Sequence, residues 1–114
     1  MSLYREQLQE ILAHVSPQTG KKYKLELKNC FGAVAGYVDE NIFCSYGKFG
    51  FALKLAPIKI GMLLKQGAKP LQYFPNGHVK KDYVVLPEEV LRDTKQLRKL
   101  IATSTTFVTS QLDR

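Results

Sequence analysis

Residues 22–28 alternate strictly between charged and apolar side chains, and this pattern constrains the fold more than any other part of the chain. A period of two is typical of a β-strand with one buried face, so Tyr23, Leu25 and Leu27 are predicted to point inward. The strand-like segments that follow are residues 34–38, 42–46 and 49–55, separated by turns at residues 39–41 and 47–48. Links this short join only antiparallel neighbours, because parallel strands need a long crossover. The sequence therefore predicts an antiparallel meander.

Helical patterns precede and follow this meander. Apolar residues recur at helical spacing from Leu3 to Val15, and Pro17 is predicted to end that helix, because the residue before a proline is pushed out of the helical region. A second helix is predicted from Pro57 to a glycine cap at Gly67. Its expected apolar stripe comprises Ile58, Met62 and Leu63.

The second half of the chain adds strands and helices to this plan. Residues 71–74 and 79–86 are predicted as a fifth and a sixth strand around the turn signal at residues 75–77. A short helical turn follows, and then a last helix capped by Asp93, which is expected to fray or end early over the β-branched residues 103–110. The predicted class is α+β, an antiparallel β-sheet meander of about five to six strands with N-terminal and C-terminal helices packed on it.

The positive charge of the chain is concentrated in its middle. The formal net charge is +7, and residues 21–81 alone hold eleven lysines against Glu26, Asp39 and Glu40, a net of +8. Such a field attracts polyanions and acidic protein surfaces in a salt-dependent way. The alternative is that the lysines coat the solvent face of a sheet and keep the protein soluble. Composition leaves both interpretations open.

Few residues suggest catalysis or metal binding. His14, His78, Cys30 and Cys44 show no spacing of a metal site or nucleophile motif, so no enzyme, metal or cofactor is predicted. Isolated cysteines favour a reducing compartment, and charges near the N-terminus argue against a signal peptide. The longest charge-free apolar run near the middle, residues 31–38, is shorter than the about 20 residues that a membrane span needs. These features predict a cytoplasmic protein.

Residues 47–55 interleave basic, glycine and aromatic residues as an RNA-recognition strand does. That motif requires a glycine directly after its basic residue, whereas Lys48 is followed by Phe49. In a nucleic-acid interface Phe49 and Phe51 would stack on bases. In the alternative, which we favour, both rings face the core. Lys48 and Lys54 are the candidates in this segment for contact with an anionic partner.

A second basic cluster follows the predicted Asn-Gly turn. His78, Lys80 and Lys81 stand at the start of a strand and can present donors to a phosphate or a carboxylate. Only Lys81 would share a sheet face with Tyr83, because successive side chains of a strand alternate. The alternative is a polar hairpin in which Asp82 pairs locally with a lysine.

Five short motifs follow one another in a familiar order. They are CFGA (residues 30–33), GYV (36–38), IF (42–43), FALKL (51–55) and YVVLP (83–87). In order and spacing they resemble the N-terminal domain of the TfoX/Sxy family, over residues 28–104. The resemblance implies an α+β fold and a single TfoX N-terminal-like domain over residues 1–114, without the C-terminal helical domain of full-length members.

The resemblance also implies a regulatory or protein-interaction role without catalysis. Family members with both domains are positive regulators of natural competence that work with the cyclic AMP receptor protein, so a partner of that transcription-factor type is expected. The charge pattern predicts the contact residues, which are Lys48, Lys54, His78, Lys80, Lys81 and Tyr83. The alternatives are direct nucleic-acid binding by the lysine-rich part of the sheet, and a small anionic-ligand site around His78. Exposed sheet edges also allow a homodimer.

Overall fold

A computed structural model of the chain describes residues 3–30, 32–72 and 79–110. The strands in these ranges are β1 (Leu25–Cys30), β2 (Ala33–Val38), β3 (Asn41–Gly47), β4 (Gly50–Lys54), β5 (Lys69–Leu71) and β6 (Lys80–Val85). The helices are α1 (Leu3–Val15), α2 (Pro17–Lys22), α3 (Pro57–Lys65), α4 (Glu88–Arg92) and α5 (Thr94–Ser110). The strands form one sheet in the order β1-β2-β3-β4-β6-β5, and every neighbouring pair is antiparallel. The predicted α+β class and the meander of β1 to β4 are confirmed, whereas the predicted turn at residues 75–77 lies outside the described residues.

The helices cover one face of the sheet. Buried residues of α1, α3, α4 and α5 join Phe51 and Leu53 in the main core cluster. Ala52, Leu71 and Tyr83 form a second, smaller cluster, which strand alternation places on the opposite face. No buried residue of a described helix belongs to this second cluster. We call the face that carries Ala52 and Tyr83 the open face, because no described helix packs on it, although these two residues are themselves buried.

A β-bulge in β3 shapes the centre of the sheet. The register of β2 against β3 shifts between Gly36 and Tyr37, so that Phe43 is the extra residue and packs with Cys44 in the main core. A Cβ atom at Gly36 would lie 2.6 Å from Sγ of Cys44. The hydroxyl of Ser104 in α5 lies 3.0 Å from the carbonyl oxygen of Phe43, which ties the bulge to the helix layer.

The predicted end of the first helix before Pro17 is confirmed, because α1 ends at Val15 and Ser16 is not helical. Pro17 begins a further short helix, α2, which was not predicted, because proline is well suited to the first turn of a helix. The buried hydroxyls of Ser16 and Thr19 are 2.8 Å apart at the junction of the two helices. Since α2 extends to Lys22, β1 starts only at Leu25, later than the alternation predicted.

Two further helices also differ from their predictions. α3 buries Ile60 and Leu63, of which only Leu63 belongs to the predicted apolar stripe. The other two stripe residues, Ile58 and Met62, are 80% and 57% exposed, because the helix turns a different side toward the sheet. α5 continues to Ser110, so the expectation that it frays or ends early is wrong. Burial of Ser104, Thr105 and Val108 against the sheet offsets the low helix propensity of its β-branched residues. Among the described residues, no helix has the length and apolar character needed to cross a membrane.

Candidate functional site

Lys54 lies at the end of β4, where the register places it opposite Tyr83 of β6. Its Nζ atom is 3.5 Å from Oδ2 of Asp82 and 6.0 Å from the centre of the Tyr83 ring. The Lys54 side chain is 23% exposed. Contacts with a carboxylate and an aromatic face restrict the rotamers of this half-buried lysine. Lys54 is therefore an anchored cation at one end of the open face.

Lys80 and Lys81 extend the positive charge at this end of the sheet. Both are exposed at the start of β6, and because β6 runs antiparallel to β4 they lie near the Lys54 end. Alternation puts Lys81 on the same face as Tyr83. Asp82 does pair with a lysine, but its partner is Lys54 on the neighbouring strand. We call the group of Lys54, Lys80, Lys81 and Tyr83 the basic rim.

Two of the predicted contact residues are not placed in the basic rim. Lys48 is exposed in the turn between β3 and β4, at the opposite end of β4 from Lys54. At a rise of about 3.3 Å per residue the two ends of β4 are about 13 Å apart, and Lys48 lies beyond the end that is far from Lys54. His78 lies outside the described residues, so the anionic-ligand hypothesis built on it stays a prediction.

The aromatic residues of the RNA-like segment separate onto the two faces of the sheet. Phe51 is fully buried under the helices, whereas Phe49 is half-buried against the cluster on the open face. Gly50 between them has a φ of 113°, a conformation that interrupts the strand alternation. The prediction that both rings face the main core is right for Phe51 and wrong for Phe49. Because Phe51 has no exposed surface, it cannot stack on bases.

A second lysine–tyrosine contact on the open face was missed by the sequence analysis. Nζ of Lys28 lies 4.8 Å from the centre of the Tyr37 ring. Lys28 pairs with Ala35, which pairs with Ser45. Ser45 in turn pairs with Ala52, so these four residues share the open face. Alternation alone predicts that Lys28 points away from the core, but its contact with Tyr37 depends on the strand register.

The remaining chemistry of the described residues gives little basis for a reaction centre. Cys44 is fully buried, and this burial raises the pKa of its thiol, so the nucleophilic thiolate does not form at neutral pH. Within the described ranges, no three His, Cys, Asp or Glu side chains are grouped as metal ligands. The basic rim offers the exposed ammonium groups of Lys80 and Lys81, which suit recognition of carboxylates or phosphates.

Comparison with known proteins identifies a family for most of the chain. The model of a family described as the TfoX N-terminal domain matches residues 18–108. The match includes all the strands of the sheet and most of α5, while α1 lies outside it. A comparison with curated proteins gives no match. The resemblance inferred from the five short motifs is confirmed by the family match.

Proposed function

Because the chain belongs to the TfoX N-terminal domain family, we propose that it is a regulatory protein-interaction module that binds an acidic partner surface through the basic rim. The proposal includes no catalytic step. The observation that carries it is the position of Lys81, which is exposed near the anchored Lys54 on a face that the described helices leave open, with Lys80 exposed next to it at the start of β6.

The basic rim combines one lysine that is held by a salt bridge, Lys54, with two exposed lysines, Lys80 and Lys81. Lys54 already has Asp82 as a partner, so its charge is partly matched before any binding. Lys80 and Lys81 have no salt bridge among the described residues, and they supply the unmatched charge for a partner carboxylate. Tyr83 lies next to Lys54 but is buried, so its ring helps to position Lys54 and does not itself meet a partner. We therefore expect a partner surface that presents carboxylates to Lys80 and Lys81.

The proposed partner is a transcription factor of the cyclic AMP receptor protein type, in a competence-related regulatory pathway. This choice rests on the family and on the charge of the basic rim. An acidic patch on such a factor would be attracted from a distance, and mutation of exposed rim charges would change mainly the association rate and its salt dependence.

The test compares two triple variants with the same change in net charge. Lys54→Gln/Lys80→Gln/Lys81→Gln removes the charges of the basic rim. The control variant replaces three exposed lysines on the helix layer, Lys65, Lys95 and Lys99, with glutamine. Binding to immobilised cyclic AMP receptor protein is measured for both variants and the wild type by surface plasmon resonance. Loss of binding in the rim variant alone supports the proposal, and equal binding by all three proteins refutes it.

Direct nucleic-acid binding is the second candidate function. The observations that favour it are the net charge of +8 over residues 21–81 and the two lysine–tyrosine contacts on one open face. Fluorescence anisotropy with labelled duplex and single-stranded DNA, at low and at physiological salt, distinguishes it from a protein-binding role. DNA affinity that falls steeply with salt supports phosphate contacts. Absence of binding even at low salt excludes this candidate.

A further inference from the structure

Within the part of the chain that the structure describes, the outer edge of β1 has unpaired backbone groups in a regular row. β1 is the first strand of the sheet, and among the described strands it pairs with β2 alone. The N–H of Asp39 donates to the carbonyl oxygen of Lys24 over a distance of 3.0 Å, so residue 24 is turned toward β2. Hydrogen-bonding direction alternates along an antiparallel strand, and therefore Leu25, Leu27 and Asn29 point their N–H and C=O groups away from the sheet.

The opposite edge of the sheet is poorly suited to pairing with another strand. β5 has only three residues, and one of them is Pro70, which has no N–H. Its register against β6 also shifts between Pro70 and Leu71. Short length, proline and irregularity are the usual devices that keep an edge from pairing. β1, by contrast, has six residues, no proline and no register shift against β2.

The side chains of β1 make this edge complementary to itself. Lys24, which directly precedes β1, is followed on the open-face side by Glu26 and Lys28, so the charges alternate in sign, and Nζ of Lys24 is 3.8 Å from Oε1 of Glu26. We propose that two copies of this chain pair through β1 in antiparallel orientation, with Leu27 of one copy opposite Leu27 of the other. In that register Glu26 of each copy lies directly opposite Lys28 of its partner, which gives two cross-strand ion pairs related by symmetry.

The neighbouring registers are electrostatically unfavourable. Pairing of Leu25 with Leu27 of the second copy would place Glu26 opposite Glu26 and Lys24 opposite Lys28. Pairing of Leu27 with Asn29 would place Lys28 opposite Lys28. Like charges directly opposite each other destabilise a sheet. A register centred on Leu25 would pair Glu26 with Lys24, but it would overlap the two β1 strands only at Leu25, because β1 begins there. Charge pattern and strand overlap together therefore select the register centred on Leu27.

Apolar surface beside the edge supports the same arrangement. A groove of about 560 Å³ lies between α1 and β1, and its lining includes Leu12, Leu25 and Leu27. Leu25 and Leu27 are only half-buried, on the helix-layer side of β1. Pairing centred on Leu27 brings the two copies of this side chain together and covers part of that surface. The product is one continuous sheet with the helices of both copies on the same face.

Charge inversion with mixing tests the register directly. Sedimentation equilibrium over a concentration series is expected to show a reversible monomer–dimer equilibrium for the wild-type chain of 12.9 kDa. Glu26→Lys and Lys28→Glu, each studied alone, turn both attractive pairs into repulsive ones and are expected to weaken self-association at least about tenfold. An equimolar mixture of the two variants restores opposite charges at both positions, so a mixed dimer is expected to form at least as well as the wild-type dimer.

A third variant blocks the edge without changing its charge. Asn29→Pro removes an N–H that points away from β2, so the β1–β2 pairing is retained while dimerisation is lost. Urea unfolding and circular dichroism confirm that this variant folds. A wild-type chain that stays monomeric, or a dimer that neither Asn29→Pro nor the single charge inversions weaken, overturns the proposal. Failure of the mixture to restore association overturns the register. Binding of a labelled acidic strand peptide to a monomeric wild type, lost in Asn29→Pro, would assign the edge to a different partner.

Discussion

Ser104 connects the helix layer to two strands, and its substitution is the most direct test of the core. Its hydroxyl lies 3.0 Å from the carbonyl oxygen of Phe43 at the bulge and 2.7 Å from that of Lys54 at the end of β4. Ser104 is completely buried, so water cannot replace the hydroxyl in Ser104→Ala. The hydroxyl has one proton, so it can donate one full hydrogen bond to one of these carbonyl oxygens or a weaker, shared hydrogen bond to both. The expected loss in the free energy of unfolding is therefore that of one unsatisfied buried acceptor, about 1–3 kcal/mol.

Urea unfolding of Ser104→Ala measures this loss. For an m value of about 1–3 kcal/mol per M, the midpoint should fall by about 1 M. Thr103→Ala is the matched control, because the neighbouring hydroxyl is exposed and bonds only within the helix, to the carbonyl oxygen of Lys99 at 2.8 Å. Its stability should stay within about 0.5 kcal/mol of the wild type. If Ser104→Ala is as stable as Thr103→Ala, the structural role assigned to Ser104 is refuted.

Three further predictions concern other contacts. Gly36→Ala should lower the free energy of unfolding by about 1–3 kcal/mol in urea titration, because its Cβ would meet Sγ of Cys44 at 2.6 Å. When the native protein is treated with a thiol-labelling reagent, the half-buried Cys30 should react. Cys44 should react only after unfolding, because its burial raises the pKa of the thiol and blocks access of the reagent. Arg98→Gln should lower stability by about 1 kcal/mol in thermal or urea unfolding, because it removes the bond of 2.8 Å from Nε to the carbonyl oxygen of Val15.

For each of these three predictions, one experimental result would contradict it. Adding Cys44→Ala to Gly36→Ala should recover part of the loss, and strict additivity of the two changes would show that the contact is not the cause. Rapid labelling of both cysteines in the native protein would contradict the burial of Cys44. Arg98→Lys is the control for Arg98→Gln, since it keeps the positive charge. If the glutamine and lysine variants are both as stable as the wild type, the hydrogen bond between α5 and the end of α1 contributes nothing.

Local sequence pattern was sufficient to predict most of the strands and the first helix. Alternation at residues 22–28 identified β1, and helical spacing identified Leu8 and Leu12 as core residues of α1. Short turns identified the meander, because the length of a link decides whether neighbours are antiparallel. The N-cap of α5 was also predictable, since the N–H of Gln96 donates to Oδ1 of Asp93 at 3.1 Å.

Features that depend on contacts distant in sequence could not be predicted in this way. The placement of β6 between β4 and β5, the bulge at Phe43 and the bond from Ser104 all follow from tertiary packing. The charge pattern identified Lys80 and Lys81 as candidates for the basic rim. The anchoring of Lys54 by Asp82 depends on the β4–β6 register, which no local pattern encodes.

The position of α1 decides where this chain can be shortened or joined to another protein without loss of its core. The family match begins at residue 18, yet Leu8, Leu12 and Val15 of α1 are buried in the same core cluster as the sheet. Burial of each of these side chains contributes about 1.5–3 kcal/mol. Their combined loss is comparable to the whole stability of a typical small domain, about 5–15 kcal/mol. The segment of this chain that must stay together to keep its core is therefore longer than the segment that the family match covers, and a cut or fusion point between α1 and α2 would remove three buried side chains from that core.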